Sequence, residues 1–474
     1  MESRVTERTA SEIASALARG EWSVADVVAA HFDRIDRMNR SLNAFVQLRR
    51  EEALAEAVAQ DANARRGASR GPLGGVPISV KSAVAVAGLR CEIGARERAG
   101  STAAADAVVV ARLRAAGAIV LGTTNVAEML MGYESDNPLY GRTNNPWDLQ
   151  RTAGGSSGGE AAAIAAGCSA GGIGSDGGGS IRVPAHFCGI CGLKPTPGRI
   201  PSTGHQPACL GPFSLVGVVG PMARSVEDLL LLFNVMAGAD DDDPLAATYD
   251  RVDADVGDLC VGYFEDDGRT PVTLETAAAV REAARAAELS GFSVERFRPD
   301  VFDRSSELWG VFFAKAGAAT LHDIMRGEER SLPILREFSD GDPERLRLSD
   351  RELLDAWLER DLLRARLLRD MRRYRVLLCP VAAVPAFRHG EREWIVAGRR
   401  VRYLDAMSYT VWFNLLGNPS VVVPVGRSPE QLPIGVQVVG RPHEEEVVLA
   451  VAAAIERVCA RSPLIRAQAP SPPH

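Results

Sequence analysis

Residues 154–196 read GGSSGGEAAAIAAGCSAGGIGSDGGGSIRVPAHFCGICGLKPT, and the organisation of the whole chain follows from how that stretch is read. Eleven of residues 154–179 are glycine, far above average usage. Glycine and serine at that density also make flexible linkers. Two neighbours argue against a linker. Residues 160–166 are a compact alanine-rich helix former, and residues 180–188 resume an ordered, mixed pattern. The glycines therefore sit between elements, where a backbone needs positive φ or close approach.

Working outward, residues 10–17 and 25–38 carry apolar side chains at helical spacing, with Ser23 placed as an N-cap, and residues 51–65 continue the pattern. Gly71-Pro72-Leu73-Gly74-Gly75 then breaks the chain, and residues 76–80 form a short β-rich run ending at Lys81. Residues 105–116 read as a helix closed by Gly117, and 118–121 as a strand. Downstream, helices are expected at 225–237, with Glu227 and Asp228 in the first turn, and at 274–289, 351–373 and 443–460. Strands are expected at 376–378, 420–425 and 434–439. Residues 240–243 are a solvated acidic turn and 469–474 a frayed tail. Helices alternating with short apolar strands predict an α/β layered fold around a mixed or parallel sheet.

Composition mostly excludes. With 46% hydrophobic and 24% charged residues, the 474-residue chain is rich enough to bury a core. A net charge of −7 favours no polyanionic partner, so nucleic acid is not expected. The first residues lack an apolar signal region, and the apolar runs fall short of the ~20 residues of a membrane span. A cytoplasmic location with reduced thiols is the simplest expectation for eight scattered cysteines. Cys188-Gly-Ile-Cys191 has no second pair to complete a zinc site, and no metal is expected. Among the 54 basic residues only Lys81, Lys194 and Lys315 are lysine, which leaves 51 arginines. GC-rich codon bias explains that imbalance, but each surviving lysine then raises the question of what an arginine there could not do.

Three segments carry chemistry: Gly75–Lys81, Gly154–Gly159 and Asp176–Arg182. A serine hydroxyl is a weak nucleophile until a base takes its proton. The seven histidines (31, 186, 205, 322, 389, 443 and 474) lie in no recognisable nucleophile motif, and no GxSxG elbow is present. A lysine can serve if burial lowers its pKa by about three units, whereas arginine cannot be deprotonated in this way. Lys81, at the end of a buried strand, meets that requirement. Backbone N–H groups at a tight glycine turn can also receive the oxyanion of acyl transfer, which suits Gly177-Gly178-Gly179-Ser180.

These segments resemble the amidase signature family. The resemblance runs through nearly the whole chain: residues 75–81, 154–196, Gly220-Pro221-Met222-Ala223-Arg224, 413–419 and 432–437. It implies a central mixed sheet covered by helices on both faces, in one domain over 1–468. The signature core would span about 70–240 and 410–460, with a variable substrate region at about 258–410. It implies Ser180 as nucleophile, Ser156 (held in the family by a cis peptide bond) as bridge, and Lys81 as base. Gly177, Gly178, Gly179 and Ser180 would form the oxyanion hole. Ser157 would support the network, and Asp176 and Arg182 would hold the nucleophile's loop.

Residues 137–141 and 145–147 are similar to the fatty acid amide hydrolase branch. By that likeness Leu130 and Met131 would line an acyl pocket; the alternative is that they are core residues of a helix. Ser82 and Gly177 depart from common residues of the family, an acidic one and a bulkier one. Lys194 is expected to be structural, and Lys315 to lie on the surface of an amphipathic helix or to face the pocket. The expected activity is hydrolysis of a small-molecule amide through an acyl-serine, without a cofactor. Trp309, Phe312, Phe313, Trp394 and Trp412 hint at a hydrophobic acyl or aryl group, though core packing explains them equally. The alternatives are the glutaminase subunit of a tRNA-dependent amidotransferase and a biosynthetic acyltransferase. A homodimer is an expectation from the family alone.

Overall fold

Apolar runs flanked by glycine turns place most of the chain's strands in one sheet. The computed structural model describes residues 5–250, 256–317, 337–338 and 341–460. The expected tail at 469–474, His322 and His474 lie outside the described residues. In chain order the strands are β1 (Phe45–Leu48), β2 (Pro77–Lys81), β3 (Ile119–Thr124), β4 (Gly171–Asp176), β5 (Cys191–Lys194), β6 (Val218–Ala223), β7 (Cys260–Tyr263), β8 (Ser293–Arg296), β9 (Tyr374–Pro380), β10 (Glu393–Val396), β11 (Arg399–Arg402), β12 (Ser420–Arg427) and β13 (Pro433–Val439). Eleven of them form a mixed sheet in the order β1-β3-β2-β4-β6-β5-β12-β13-β9-β7-β8, and β10 and β11 pair separately. Strands β2, β3, β4, β6 and β13 are buried along their whole length, which is why apolar residues and glycine dominate them, with polar side chains such as Lys81, Asp176 and Gln437 at particular points. The expected α/β class and mixed central sheet are what the chain forms, and strands from 258–410 extend that same sheet through β9.

Helix ends follow local chemistry. Ser23 Oγ accepts the Asp26 N–H at 3.0 Å, capping the helix Val24–Leu42 as expected. Ser225 caps Val226–Met236 in the same way. Asp228, in the first turn of that helix, accepts the N–H groups of Ala10 and Ser11 at 2.9 Å each and so fixes the start of the helix Ala10–Ala18.

Two expected boundaries move for physical reasons. The strand read at 118–121 continues to Thr124. Gly122 is not a stop: a side chain there would place its Cβ 2.1 Å from the Gln47 carbonyl oxygen of β1. The helix read at 351–373 ends at Asp370, and β9 begins at Tyr374, two residues before the expected strand.

Strand β2 lies parallel to both β3 and β4. Their carboxyl ends, Thr124, Lys81 and Asp176, therefore emerge side by side on one edge, where open α/β sheets form their crevices.

Candidate active site

Lys81 closes β2 and is fully buried. Its Nζ lies 2.7 Å from Ser156 Oγ, 3.0 Å from Ser175 Oγ and 3.3 Å from the Ser175 carbonyl oxygen. Burial pushes its pKa down to about 7, against the opposing pull of Asp176, Glu160 and Cys209. The carboxylates that act on this amine thus come from the sheet end and the adjacent helix, not from the position of Ser82, whose N–H donates to the Thr124 carbonyl. Glu160 is itself fully buried, and burial pushes its carboxyl up to about 8, opposed by hydrogen bonds from Ser79 and Thr124 and by the charge of Lys81.

Ser156 and Ser157 occupy the turn before the helix Gly158–Ala165, and the Gly155–Ser156 peptide bond is cis. Gly155 is required there because a Cβ would stand 2.6 Å from the Glu134 nitrogen. Ser157 Oγ donates to the Ser175 carbonyl at 3.3 Å, and the Ser157 N–H donates to the Ser180 carbonyl at 3.2 Å. Ser157 thereby ties the two serine segments together. Ser135, which the sequence reading missed, holds the same turn. Its hydroxyl donates to the Ser156 carbonyl at 3.2 Å and accepts the Gly158 N–H at 2.8 Å.

Asp176 and Arg182 hold the glycine loop from beneath. The carboxylate accepts Arg182 Nε at 3.0 Å and Nη2 at 2.9 Å, and also the N–H groups of Gly179 at 2.7 Å and Ile181 at 3.0 Å. Burial alone raises this carboxyl, but the Arg182 charge and hydrogen bonds, with Lys194 and Asn414, carry it well below the usual carboxylate range. The downstream motifs converge here. Arg182 donates to the Thr410 carbonyl and to Gln437 Oε1 at 2.8 Å each, and Asn414 donates to the Asp176 and Val216 carbonyls at 3.1 and 2.9 Å.

The upper side of the loop is set by aromatic side chains from the helix Phe302–Gly310 and the π turn Val311–Lys315 that follows it. Trp309 and Phe313 stack with centroids 4.6 Å apart, and a Cβ at Gly178 or Gly177 would meet them at 2.5 and 2.8 Å respectively. Trp309 Nε1 donates to the Gly177 carbonyl at 2.8 Å. Thr410 and Tyr133 hydroxyls donate to the Gly178 carbonyl at 2.7 and 3.0 Å. With those carbonyls fixed, the N–H groups of Gly177, Gly178 and Ser180 make no hydrogen bond among the described residues. The Gly179 N–H, expected with them as an oxyanion donor, donates to Asp176 Oδ1 at 2.7 Å, and Gly179 itself adopts φ of +125°.

Ser180 and Ser156 both line one cleft that is open to solvent. Leu130 and Met131 line it with Met129, Phe213, Val218 and Phe313. They are not on a regular helix: Met129 and Leu130 adopt φ of 52° and 62° in a tight turn. Asp176 is the one charged residue among the described lining residues, and Arg182 neutralises it. His205 also lines the cleft. It is buried, and burial pushes its pKa down to about 4. Nothing in the sequence around it marks a catalytic motif; the adjoining Gln206–Pro207 bond is cis.

The other candidates separate. Lys194 is buried in β5, donates to the Pro195 carbonyl at 2.8 Å and is pushed down to about 7 by burial and by Arg182. Lys315 pairs with Glu352 at 2.6 Å, away from the cleft. Cys188 and Cys191 diverge, the first donating to the Ala153 carbonyl and the second to Glu456. Trp412 stacks on Phe302 in the core, and Trp394 belongs to the β10–β11 pair. Among the described residues no helix is long and apolar enough to cross a membrane.

Comparison with known proteins agrees with this geometry. Residues 26–449 match the family model described as Amidase. The chain is 36% identical to an acylamidase of Rhodococcus erythropolis, covering 95% of each protein. It is 32% identical to a glutamyl-tRNA(Gln) amidotransferase subunit of Alkaliphilus metalliredigens, covering 96% of this chain and 97% of that one. Its fold superposes on a fatty acid amide hydrolase with a TM-score of 0.86 at 26% identity, covering 99% of this chain and 87% of that one. The chain therefore belongs to the amidase signature family and is an amide hydrolase.

Proposed function

We propose that this enzyme hydrolyses amides of apolar acyl or aryl acids through an acyl-Ser180 intermediate. Ser180 Oγ attacks the carbonyl carbon while its proton passes to Ser156 Oγ, and the Ser156 proton passes to Lys81 Nζ. The oxyanion lies against the N–H groups of Gly177, Gly178 and Ser180. Lys81 returns the proton through Ser156 to the amide nitrogen, the C–N bond breaks and the amine or ammonia leaves. Water then gives a proton to the same relay and attacks the acyl-serine; the relay returns that proton to Ser180 Oγ as the C–O bond to Ser180 breaks and the acid leaves as its carboxylate.

The observation that carries this reading is the buried Lys81 amine, 2.7 Å from Ser156 Oγ at the edge of the cleft that holds Ser180. The cleft's lining supports the substrate class: apolar side chains dominate, and no cation among the described lining residues awaits a carboxylate. Glutamine carries an α-carboxylate and an α-ammonium, so a glutaminase role is disfavoured, although relatives include amidotransferase subunits.

The test is a panel of aryl, short-chain and long-chain acyl amides plus glutamine, with wild type and Ser180→Ala. Apolar amides should be turned over fastest, and Ser180→Ala should be inactive. Glutamine as the best substrate, with activity dependent on a second subunit, would replace the reading. Preferential capture of the acyl group by an added amine over water would make the enzyme an acyltransferase.

A further inference from the structure

His205 is buried one hydroxyl group away from the amine of Lys81 and takes no part in the steps above. Its Nδ1 lies 2.8 Å from the Pro207 carbonyl oxygen, and its Nε2 lies 2.8 Å from Ser175 Oγ. A carbonyl oxygen can only accept, so Nδ1 carries the ring proton and Nε2 is a bare acceptor. Ser175 must then donate its single hydroxyl proton to His205. Its oxygen is left able only to accept from Lys81 Nζ, 3.0 Å away. The Ser175 carbonyl at 3.3 Å takes the second N–H of the amine. A neutral amine has two N–H groups and one lone pair, and the remaining contact is Ser156 Oγ at 2.7 Å.

We propose that His205 is a positioning residue that sets the direction of the proton relay. By drawing the Ser175 hydroxyl proton toward itself, it makes Ser175 an obligatory acceptor and turns the Lys81 lone pair onto the Ser156 hydroxyl. Without that acceptor, the Ser175 hydroxyl is free to rotate and donate into the same lone pair, in competition with Ser156. The inference rests on the Lys81–Ser156–Ser180 relay described above.

The test compares His205→Asn, His205→Gln, Ser175→Ala and the His205→Asn/Ser175→Ala double variant, each checked for folding by circular dichroism. Asparagine keeps a donor near Pro207 but stops short of Ser175, whereas the glutamine carbonyl oxygen takes the place of Nε2. His205→Asn is expected to lose about 10- to 100-fold in kcat, the scale of a hydrogen bond to a group that becomes charged, with KM changed less than about twofold. His205→Gln should recover most of that loss. In the Ser175→Ala background, His205→Asn should cost less than about twofold more, because the link through which it acts is gone.

Equal losses in both backgrounds, or no rescue by glutamine, would make His205 a packing residue and overturn the proposal. So would wild-type kcat in His205→Asn alongside an inactive Ser180→Ala. An active Ser180→Ala would instead overturn the relay itself, which separates the two failures.

Discussion

Replacing Lys81 by methionine should abolish turnover and yet relieve the fold of a penalty that varies with pH. Lys81 is fully buried, and its pKa falls from 10.5 to about 7 chiefly through burial. The folded pKa is the lower one, so between pH 7 and 10.5 the unfolded chain binds more protons than the native one. Stability contributed at this position therefore rises with pH across that window, and the penalty is complete below about pH 7. A shift of that size corresponds to about 5 kcal/mol at its limit, of which about 2 kcal/mol remains at pH 9. Wild type should therefore gain about 2 kcal/mol relative to Lys81→Met between pH 7 and pH 9. Lys194, also pushed down to about 7, titrates in both proteins and cancels in the difference. The lost hydrogen bonds to Ser156 and Ser175 offset the stabilisation by a constant and leave the slope intact. The assay is urea unfolding of both proteins at pH 7, 8 and 9, read where fluorescence and circular dichroism transitions coincide. Parallel stability-against-pH curves would show that the amine is not held neutral by the fold, and the argument for its role as a base would fail.

Lys81→Arg should be nearly as inactive as Lys81→Ala in initial-rate assays, because a guanidinium cannot give up its proton at working pH; substantial activity would mean that position 81 needs only a charge. Arg182→Ala should destabilise the protein by about 3–5 kcal/mol in denaturant melts, since it leaves the Asp176 carboxylate buried and unpaired. Gly177→Ala should lower kcat, because its Cβ would meet Phe313 at 2.8 Å and shift the loop. Adding Phe313→Leu should restore part of the loss; no rescue would place the strain elsewhere.

What the sequence revealed and what it hid divide along chain distance. The lysine at a strand end, the paired serines and the glycine loop each lie within a short motif and were legible one by one, while their grouping into one site came from the family resemblance. Asp176 and Arg182 were readable as loop holders because they flank the same serine. The partners that orient them were not, since Tyr133, Ser135, His205 and Trp309 reach the site only through tertiary folding. Gly177 was legible as part of the glycine loop and as a departure, but the close Phe313 ring, 136 positions away in the chain, was not. The Gly179 N–H, grouped with the oxyanion donors by resemblance, donates to Asp176, a partner that composition does not encode. For Leu130 and Met131 the choice between pocket wall and helix stayed open, because the left-handed turn at Met129 and Leu130 leaves no mark in hydrophobic spacing.

The most direct test of the central claim is covalent trapping at Ser180. Active enzyme treated with an aryl or alkyl fluorophosphonate is followed by intact-mass spectrometry and peptide mapping. One adduct is predicted, on Ser180, with loss of activity in proportion to labelling and none formed by Ser180→Ala. Enzyme that stays fully active and unmodified, or that is inactivated by an adduct on another residue, would contradict the account.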